Sequence, residues 1–315
     1  MWLVLPLHAA FAMLGPTRSV SPGLAAMLSV LVAGSIAGAS GNDSLWKMPL
    51  IFSGTGDNVM WLSIGQRGID TAFAYGPIAQ DKVAKAVASS GVPRSEIFIT
   101  SKLFPGLKHK TSLTEQGLFS LSQTQAGYFD CLLMHFPDAT FESTLAAWPI
   151  LEDFKDRGLA KHIGVSNFNQ SLLRAFYNHP WVRHKPEVLQ NGYSVGFHRS
   201  THFGSDDATF ALAKAYGMQV FAYSPIGGWT QVPAMEQPTV KAIASKYGVH
   251  PAEVCIAWVV QQGIGVITST FSKSHALSDV DGTTLALSAS DMKLLSEVPE
   301  LCKSVDQYNR CQPAS

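Results

Sequence analysis

The chain has 315 residues, of which 46% are apolar and 15% charged, and its 23 basic and 23 acidic side chains leave no formal net charge. This apolar, sparsely charged composition excludes a disordered chain. The missing net positive charge argues against nucleic-acid binding. Length alone suggests two domains, but a single α/β barrel of roughly 250 residues fits as well.

The first 44 residues are almost uncharged and are predicted to lie outside the fold. They carry only Arg18 and Asp43. Small residues before residue 40 suit a secretory cleavage site. The apolar stretch would also suit a weak membrane anchor, and cleavage after Ala12 would suit a plastid presequence. A non-functional extension is the fourth alternative. Localisation is accordingly expected in the secretory pathway, a plastid or a membrane, and otherwise in the cytoplasm.

The cysteines indicate neither a disulfide framework nor a zinc site, because they are few, scattered and without a CxxC pair. They are Cys131, Cys255, Cys302 and Cys311. Cys302 and Cys311 would pair in an oxidising compartment, although two free thiols are the favoured interpretation. His198 and His202 have the i, i+4 spacing of helical metal ligands. No helix and no third ligand accompany them in the sequence, so no metal site is predicted.

Eight short β-rich segments recur at a spacing of mostly about 30 residues, the length of one strand-and-helix unit. They lie at residues 50–53, 68–70, 97–102, 128–135, 162–166, 188–193, 219–224 and 265–268. These units predict an α/β fold, a single (β/α)8 TIM barrel over residues 45–300, with a C-terminal tail over 301–315. A doubly wound open sheet is the alternative, but no G-x-G-x-x-G sequence follows any of the strands.

The segments between these strands have helical patterns. Leu145, Trp148 and Leu151 lie on one face of a predicted helix, and Gly158 would end it. Three more helices are predicted, two of them amphipathic, at residues 240–247, 252–262 and 290–295, the last with Ser288 or Ser290 as its N-cap.

Polar residues close three successive predicted strands, and reactive groups of a barrel gather at the C-terminal ends of its strands. Asp70 closes the second strand, Lys102 the third and His135 the fourth. Tyr75 follows Asp70 by five residues. A single polar residue at such a position is often a loop cap or part of a structural salt bridge. Four titratable groups together favour a catalytic site.

These four residues suit a phenol that donates a proton beside a cation. A free tyrosine has a pKa of about 10, so a neighbouring ammonium is needed to favour its anion. Lys102 would supply that charge and Asp70 would hold Lys102 in place. His135 would orient or polarise a carbonyl oxygen. The set therefore predicts reduction of a carbonyl group.

Five motifs, in order and at matching spacing, carry a resemblance to the aldo-keto reductase family. They lie at residues 65–75 (GQRGIDTAFAY), 99–104 (ITSKLF), 132–138 (LLMHFPD), 158–168 (GLAKHIGVSNF) and 222–227 (AYSPIG). The resemblance extends from Met48 to about Val298. It implies a TIM barrel that reduces aldehydes or ketones to alcohols with NAD(P)H.

By this resemblance Tyr75 is the general acid, Asp70 and Lys102 tune it, and His135 positions the substrate carbonyl. A nicotinamide cofactor would supply the hydride. The residues expected to contact the cofactor are Gly54, Thr55, Asp70, Ser166, Asn167, Gln190, Tyr223, Ser224, Ile226, Ser269, Thr270, His275 and Asp279.

The nicotinamide contacts also have ordinary structural interpretations. Ser166, Asn167 and Gln190 match the residues with which the family holds the nicotinamide amide, and Tyr223 matches the aromatic on which the ring stacks. Without the other motifs, the Ser-Asn pair would indicate a turn and Tyr223 a core residue.

The site expected for the adenosine 2′-phosphate departs from the family pattern, which has a Lys-Ser pair after the eighth strand and an Arg five residues beyond the Ser. Ser269, Thr270 and His275 occupy those positions. Lys273 lies nearby, either as a replacement cation or as an exposed loop lysine. Because Arg is the natural bidentate partner of phosphate, NADPH stays the expected cofactor but NADH is an open alternative.

Other departures surround the expected pocket. The first loop, at residues 54–56, is shorter than usual in the family, and an Asn-Glu pair after the tyrosine is replaced around residues 78–81. Residues 189–193 (LQNGY) lack the usual Asn before Gln and Glu before Tyr. Only a short tail follows the last predicted helix, so we expect an open pocket and a loosely defined substrate.

As a whole the sequence predicts an NAD(P)H-dependent reductase of small or medium apolar carbonyl compounds. Phe104 and Phe136 are the predicted apolar walls beside Tyr75 and His135, with core packing as their alternative role. A cofactor-binding regulatory subunit and a pseudoenzyme are the alternative functions. No nucleic-acid partner is predicted, membrane association would come through residues 1–44, and a monomer is favoured.

Overall fold

A computed structural model describes residues 48–106 and 111–312 of the chain. The predicted targeting or anchor segment over residues 1–44 therefore lies outside the described residues. Within the described part, no helix has both the length and the apolar character needed to span a bilayer.

Eight parallel strands close into a barrel, which confirms the predicted fold. The described residues form ten strands, of which β7 and β8 lie outside the barrel. In chain order they are β1 (Ile51–Ser53), β2 (Gly68–Asp70), β3 (Phe98–Leu103), β4 (Phe129–Met134), β5 (Ala160–Ser166), β6 (Val188–Gly192), β7 (Arg199–Ser200), β8 (Ser205–Asp206), β9 (Gln219–Tyr223) and β10 (Gly265–Thr268). Strands β7 and β8 form a separate antiparallel pair. Strand β1 pairs with β10 on one side and with β2 on the other, so the barrel closes on itself.

Ten α-helices are present in the described part of the chain. They are α1 (Asn58–Ser63), α2 (Gly76–Ser89), α3 (Leu113–Thr124), α4 (Phe141–Asp156), α5 (Gln170–Tyr177), α6 (Asp207–Ala215), α7 (Pro238–Tyr247), α8 (Pro251–Val260), α9 (Lys273–Gly282) and α10 (Ala289–Ser296). Short 3₁₀ helices lie at Phe73–Tyr75, Arg94–Glu96 and Gly228–Thr230.

Two helix ends follow local signals in the sequence, whereas the amphipathic pattern predicted for α8 is absent. The Ser288 hydroxyl accepts from the backbone N–H of Asp291, so Ser288 rather than Ser290 is the N-cap of α10. Gly158 has a φ of 70° just after α4, a conformation that glycine adopts without steric cost. The predicted amphipathic character of α8 is wrong. This helix is buried on nearly every face because α7 and α9 both pack against it.

An apolar cluster fills the barrel interior. Its members come from β1, β4, β6, β9 and β10 and from the segment that leads into β1: Met48, Phe52, Cys131, Leu133, Val188, Phe221 and Ile267. The Phe52 ring meets Phe98 and Phe221 edge-on, with centroids 5.6 Å and 5.3 Å away. Each buried phenylalanine contributes roughly 1.5–3 kcal/mol.

The tail after α10 folds back on itself and is closed by a disulfide between Cys302 and Cys311, whose Cα atoms are 5.4 Å apart. The favoured interpretation of two free thiols is therefore wrong. A turn brings the cysteines together, in which the Asp306 N–H donates to the Arg310 carbonyl at 2.9 Å. Such a local turn is not visible in the spacing of the cysteines alone.

Candidate active site

Three strands and one short helix bring the predicted catalytic residues to one end of the barrel. Asp70 is the last residue of β2, Lys102 the penultimate residue of β3, and His135 directly follows β4. Tyr75 ends the 3₁₀ helix that follows β2. Because the strands are parallel, all four side chains lie at their C-terminal ends.

Lys102 is the central charge of the site. Its side chain is 1% exposed, and its Nζ is paired with a carboxylate oxygen of Asp70. The same nitrogen donates to the Thr71 carbonyl at 3.2 Å and to the Tyr75 phenol oxygen at 3.2 Å. The second Asp70 oxygen accepts from Gln190 Nε2 at 2.8 Å. The buried charges are thus paired and hydrogen-bonded, as burial requires.

Burial and charge act in opposite directions on Tyr75. Tyr75 is 37% exposed. Loss of solvent around its phenol nevertheless raises the pKa and outweighs Lys102, which lowers the pKa, while Asp70 raises it further. The predicted influence of Lys102 is present, but the net pKa is raised. Burial alone would lower the pKa of Lys102, but Asp70 and Tyr75 together raise it above its usual value. At neutral pH the site therefore holds a protonated phenol beside a charged ammonium.

His135 is a neutral imidazole. Burial, with a further contribution from Lys102, lowers its pKa well below the usual value. The ring lies edge-on to Tyr75 with centroids 5.7 Å apart, and Phe104 and Phe136 pack against it at 5.7 Å and 5.2 Å. A neutral imidazole can donate a hydrogen bond to a carbonyl oxygen without adding a charge to the site.

A cavity of about 780 Å³ borders these residues, a size typical of ligand sites. Most predicted site residues line it: Gly54, Thr55, Asp70, Tyr75, Phe104, His135, Phe136, Ser166, Asn167, Gln190, Tyr223, Ser224, Ile226 and Ser269. Lys102 reaches Tyr75 from the buried side. Thr270, His275 and Asp279 are not among the residues that line the cavity.

The predicted nicotinamide contacts form one hydrogen-bonded group. Ser166 Oγ donates to the backbone carbonyl of Gln190 at 2.6 Å. Asn167 Nδ2 donates to Ser166 Oγ at 3.1 Å and to the backbone carbonyl of His135 at 2.9 Å. The Tyr223 hydroxyl donates to Asn167 Oδ1 at 2.7 Å. Amide and hydroxyl groups beside an aromatic ring fit the carboxamide and ring of a nicotinamide.

The short first loop is fastened to the segment after β10. The Gly54 N–H donates to the Thr268 carbonyl at 2.7 Å, and the Asp57 N–H donates to the Thr270 carbonyl at 3.0 Å. A Cβ on Gly56 would lie 2.4 Å from the Thr270 carbonyl oxygen, so only glycine fits there. The loop therefore packs directly on the residues expected near the cofactor phosphate.

The adenosine end of the predicted site contains hydroxyl groups but not the expected cations. Ser269 Oγ lies 3.2 Å from Thr55 Oγ1. His275 is exposed in the first turn of α9, whereas Asp279 is buried in the same helix. Burial raises the pKa of Asp279 to about 6. The hydroxyl groups of Thr55 and Ser269, which line the cavity, suit a ribose hydroxyl at least as well as a phosphate, so they fit either form of the cofactor.

The tail and the loop after β9 supply cavity walls that the sequence analysis missed. Trp229, Tyr308 and Arg310 line the cavity. Trp229 Nε1 donates to the Tyr308 carbonyl at 3.0 Å, and the Arg310 guanidinium lies 5.3 Å from the centre of the Trp229 ring. The tail therefore contributes to the cavity wall on this side, and the expected openness of the pocket stays a prediction. The residues that could have indicated this role are Tyr308 and Arg310, an aromatic and a cationic side chain in the tail.

The histidine pair lies outside any helix. His198 is buried, with Nδ1 3.3 Å from a carboxylate oxygen of Asp207, and His202 lies in the turn between β7 and β8. Among residues 48–106 and 111–312, no three His, Cys, Asp or Glu side chains are grouped to hold a metal ion. The absence of a metal site stays a prediction.

Comparison with known proteins gives consistent matches. Residues 59–300 match the Aldo/keto reductase family. The chain is 31% identical over 287 residues to aldo-keto reductase family 1 member A1 of Homo sapiens, covering 79% of this chain and 86% of that protein. It is 32% identical over 243 residues to aldose reductase of Encephalitozoon cuniculi, covering 70% and 77%. It is 30% identical over 243 residues to methylglyoxal reductase DkgB of Yersinia pestis, covering 75% and 84%.

The barrel with polar strand ends defines an α/β enzyme scaffold, and these matches define its family. The chain belongs to the aldo/keto reductase family. Members of this family are oxidoreductases that act on small-molecule carbonyl compounds and use NAD(P)H in general.

Proposed function

We propose that this chain reduces aldehyde or ketone groups to alcohols, with NAD(P)H as the hydride donor and Tyr75 as the general acid. The observation that carries the proposal is the contact between the Tyr75 phenol oxygen and Lys102 Nζ, 3.2 Å apart at the edge of the cavity. Family membership supports the reaction class. The chemistry of the four residues supports the role of each.

The protein's own part in the reaction is the proton. The bound nicotinamide would supply the hydride. Tyr75 donates its phenolic proton to the carbonyl oxygen, and Lys102 stabilises the phenolate that remains. Asp70 keeps Lys102 charged and in position. Neutral His135 donates a hydrogen bond to the same carbonyl oxygen and directs it towards Tyr75.

Ser166, Asn167 and Gln190 would hold the carboxamide of the cofactor, and the Tyr223 ring would lie against the nicotinamide. NADPH is the proposed cofactor. Because Ser269 and His275 stand where Lys and Arg are expected, its advantage over NADH is smaller than two strong cations would give.

The substrate part of the cavity favours apolar carbonyl compounds of small or medium size. Phe104 and Phe136 lie 5.2 Å apart between ring centroids, and Tyr308 meets Phe136 edge-on at 6.5 Å. Together with Trp229 they form an aromatic wall beside Tyr75. An aromatic aldehyde would bury its ring against this wall with its carbonyl group at Tyr75.

The test is turnover by the full-length protein with an aromatic aldehyde and either reduced cofactor, followed by absorbance. We expect turnover in the wild type and a loss of about 10²–10⁴-fold in Tyr75→Phe. The matched control is Tyr128→Phe, because Tyr128 directly precedes β4 and lies at the end opposite His135, against Arg94. Cofactor binding without turnover would overturn the proposal and favour a regulatory subunit. Absence of cofactor binding would favour a pseudoenzyme.

We also propose that residues 1–44 direct the protein to a compartment or membrane and that the barrel acts as a monomer. A fusion of residues 1–44 to a fluorescent protein tests the first point, and a diffuse cytoplasmic signal would contradict it. Sedimentation of the full-length protein tests the second.

A further inference from the structure

The tail places a buried asparagine behind the predicted nicotinamide contacts. Asn309 is fully buried. Its Nδ2 donates to the Tyr223 hydroxyl oxygen at 2.8 Å and to Ser205 Oγ at 3.0 Å. The catalytic scheme above does not use this residue.

Asn309 sets the direction of the hydrogen bonds in front of it. An amide nitrogen only donates, so the Tyr223 oxygen accepts from Asn309 and directs its own proton to Asn167 Oδ1. Burial raises the pKa of Tyr223, so the phenol keeps that proton. Because Oδ1 of Asn167 is engaged in this way, its Nδ2 faces the His135 carbonyl. The hydrogen bonds thus run from the tail to the strand end that carries His135.

Gly192 leaves the space that Asn309 fills. A Cβ at Gly192 would lie 3.1 Å from Asn309 Nδ2 and 3.1 Å from Cε2 of Tyr223. The matching family motif has a Glu at this position, one residue before the aromatic at Tyr193. This chain therefore combines a glycine in β6 with an amide group supplied by the tail.

The turn of the tail holds Asn309 in place. The Asn309 N–H donates to the Asp306 carbonyl at 3.0 Å, and its φ is 60°, a left-handed conformation that Asn tolerates better than most residues. Two residues later Cys311 is bonded to Cys302, and the Cys311 N–H donates to the Thr230 carbonyl at 2.9 Å. The disulfide closes a short loop and so limits the conformations open to the tail once it detaches.

We propose that Asn309 is a positioning residue for the reaction, and that the Cys302–Cys311 disulfide keeps it in position, so that opening this disulfide weakens cofactor binding. The proposal rests on the function proposed above. Asn309 acts through Tyr223 and Asn167, whose orientation it fixes before the cofactor binds. A dithiol reductant would open this disulfide by thiol–disulfide exchange. The S–S bond between Cys302 and Cys311 breaks, the two S–H groups of the reductant supply two electrons and two protons to give two cysteine thiols, and the reductant forms its own disulfide bond.

Cofactor affinity of the full-length protein, measured by quenching of tryptophan fluorescence, tests the role of Asn309. We expect Kd for NADPH to rise about three- to tenfold and kcat to fall in two variants, Asn309→Leu and Asn309→Asp. Leu removes the amide but strains the left-handed backbone, whereas Asp tolerates that backbone and cannot donate to Tyr223. The control is Ser205→Ala, which removes the other hydrogen bond of Asn309 but leaves the one to Tyr223. It should change Kd by less than about twofold.

A double variant separates positioning from general stability. In a Tyr223→Phe background the Asn309→Leu change should have little further effect, because the hydroxyl through which Asn309 acts is gone. Equal Kd values for wild type and Asn309→Leu would overturn the proposal. Equal losses in Ser205→Ala and Asn309→Leu would also overturn it, because they would assign the effect to packing of the tail.

The role of the disulfide is tested by adding a thiol reductant. The wild type should lose cofactor affinity to the level of the Cys302→Ser/Cys311→Ser variant, which itself should not respond to the reductant. Cys131 and Cys255 are present in both proteins and serve as the internal control. An unchanged wild-type Kd after reduction would overturn the redox part.

These outcomes are distinct from failure of the proposed function. If the wild type turns over and the variants are unaffected, the proposed function stands and the proposed role of Asn309 is overturned. If the wild type binds cofactor without turnover, the proposed function is overturned. The Kd values of the variants then test only the role of Asn309 in cofactor binding. A wild type that binds no cofactor overturns both.

Discussion

The Lys102 ammonium lies 3.2 Å from the Tyr75 phenol oxygen and is itself 1% exposed. Burial keeps the pKa of Tyr75 raised despite the opposing influence of Lys102, so the phenol is protonated at neutral pH. In the proposed reaction, the cation that would stabilise the phenolate is therefore in place before the proton leaves. Such preorganised charge avoids reorganisation during the reaction.

Removal of the Lys102 cation should lower both the stability and the turnover, and only the stability should be recovered by a second substitution. Lys102→Met leaves Asp70 buried without its ionic partner, so we expect the free energy of unfolding to fall by about 3 kcal/mol or more, measured with urea. Lys102→Met/Asp70→Asn should recover most of this stability but none of the turnover. A single variant as stable as the wild type would contradict the energetic role of the pair.

His135 should not limit activity at mildly acidic pH. Burial and Lys102 lower its pKa well below the usual histidine value, so the ring stays neutral as the pH falls through the ordinary histidine range. We expect any loss of kcat/KM in this pH range to be the same in the wild type and in His135→Gln, which keeps a hydrogen-bond donor. His135→Phe should lose about 10²–10³-fold in kcat, the usual cost of removing such a donor. A loss at acidic pH that occurs in the wild type but not in His135→Gln would contradict the neutral imidazole.

The cofactor preference should respond to restored cations. Ser269→Lys/His275→Arg would add two positive charges at the positions expected to meet the 2′-phosphate. We expect Kd for NADPH to fall about 10- to 100-fold while Kd for NADH stays within about twofold, measured by fluorescence titration. Equal changes for both cofactors would show that these positions do not face the 2′-phosphate.

Asp279 should make stability fall as the pH rises. Burial raises its folded-state pKa to about 6, above the value of about 3.9 in an unfolded chain. Between these two pKa values the folded state binds more protons than the unfolded state. Ionisation of Asp279 therefore destabilises the fold as the pH rises, and the full loss of about 3 kcal/mol in the free energy of unfolding is present above the folded-state pKa. The Asp279→Asn variant lacks this cost, so its advantage over the wild type should grow from acidic to neutral pH in urea unfolding. A constant difference between the two proteins would contradict the shift.

The barrel and its catalytic strand ends were predictable from the sequence because both depend on local pattern. Strands closed by Asp70, Lys102 and His135 recur at the spacing of strand-and-helix units, and parallel strands bring their ends together. The motifs around Ser166 and Tyr223 likewise predicted residues that line the same cavity. Their mutual hydrogen bonds followed once the strands were in register.

The tail was not predictable on the same grounds. Asn309 and Tyr223 are far apart in sequence, and their contact depends on a turn around Asp306 and on the room left by Gly192. No periodic pattern records such a contact. The net pKa of Tyr75 was missed for a related reason, because burial at that position depends on the three-dimensional packing rather than on the neighbouring charges that the sequence displays.

A single-turnover measurement tests whether Tyr75 donates the proton. Full-length wild type and Tyr75→Phe are loaded with reduced cofactor, mixed with an aromatic aldehyde, and followed by the loss of cofactor absorbance. We expect nearly equal cofactor Kd values and a single-turnover rate about 10²–10⁴-fold lower in Tyr75→Phe. Equal single-turnover rates in the two proteins would contradict it.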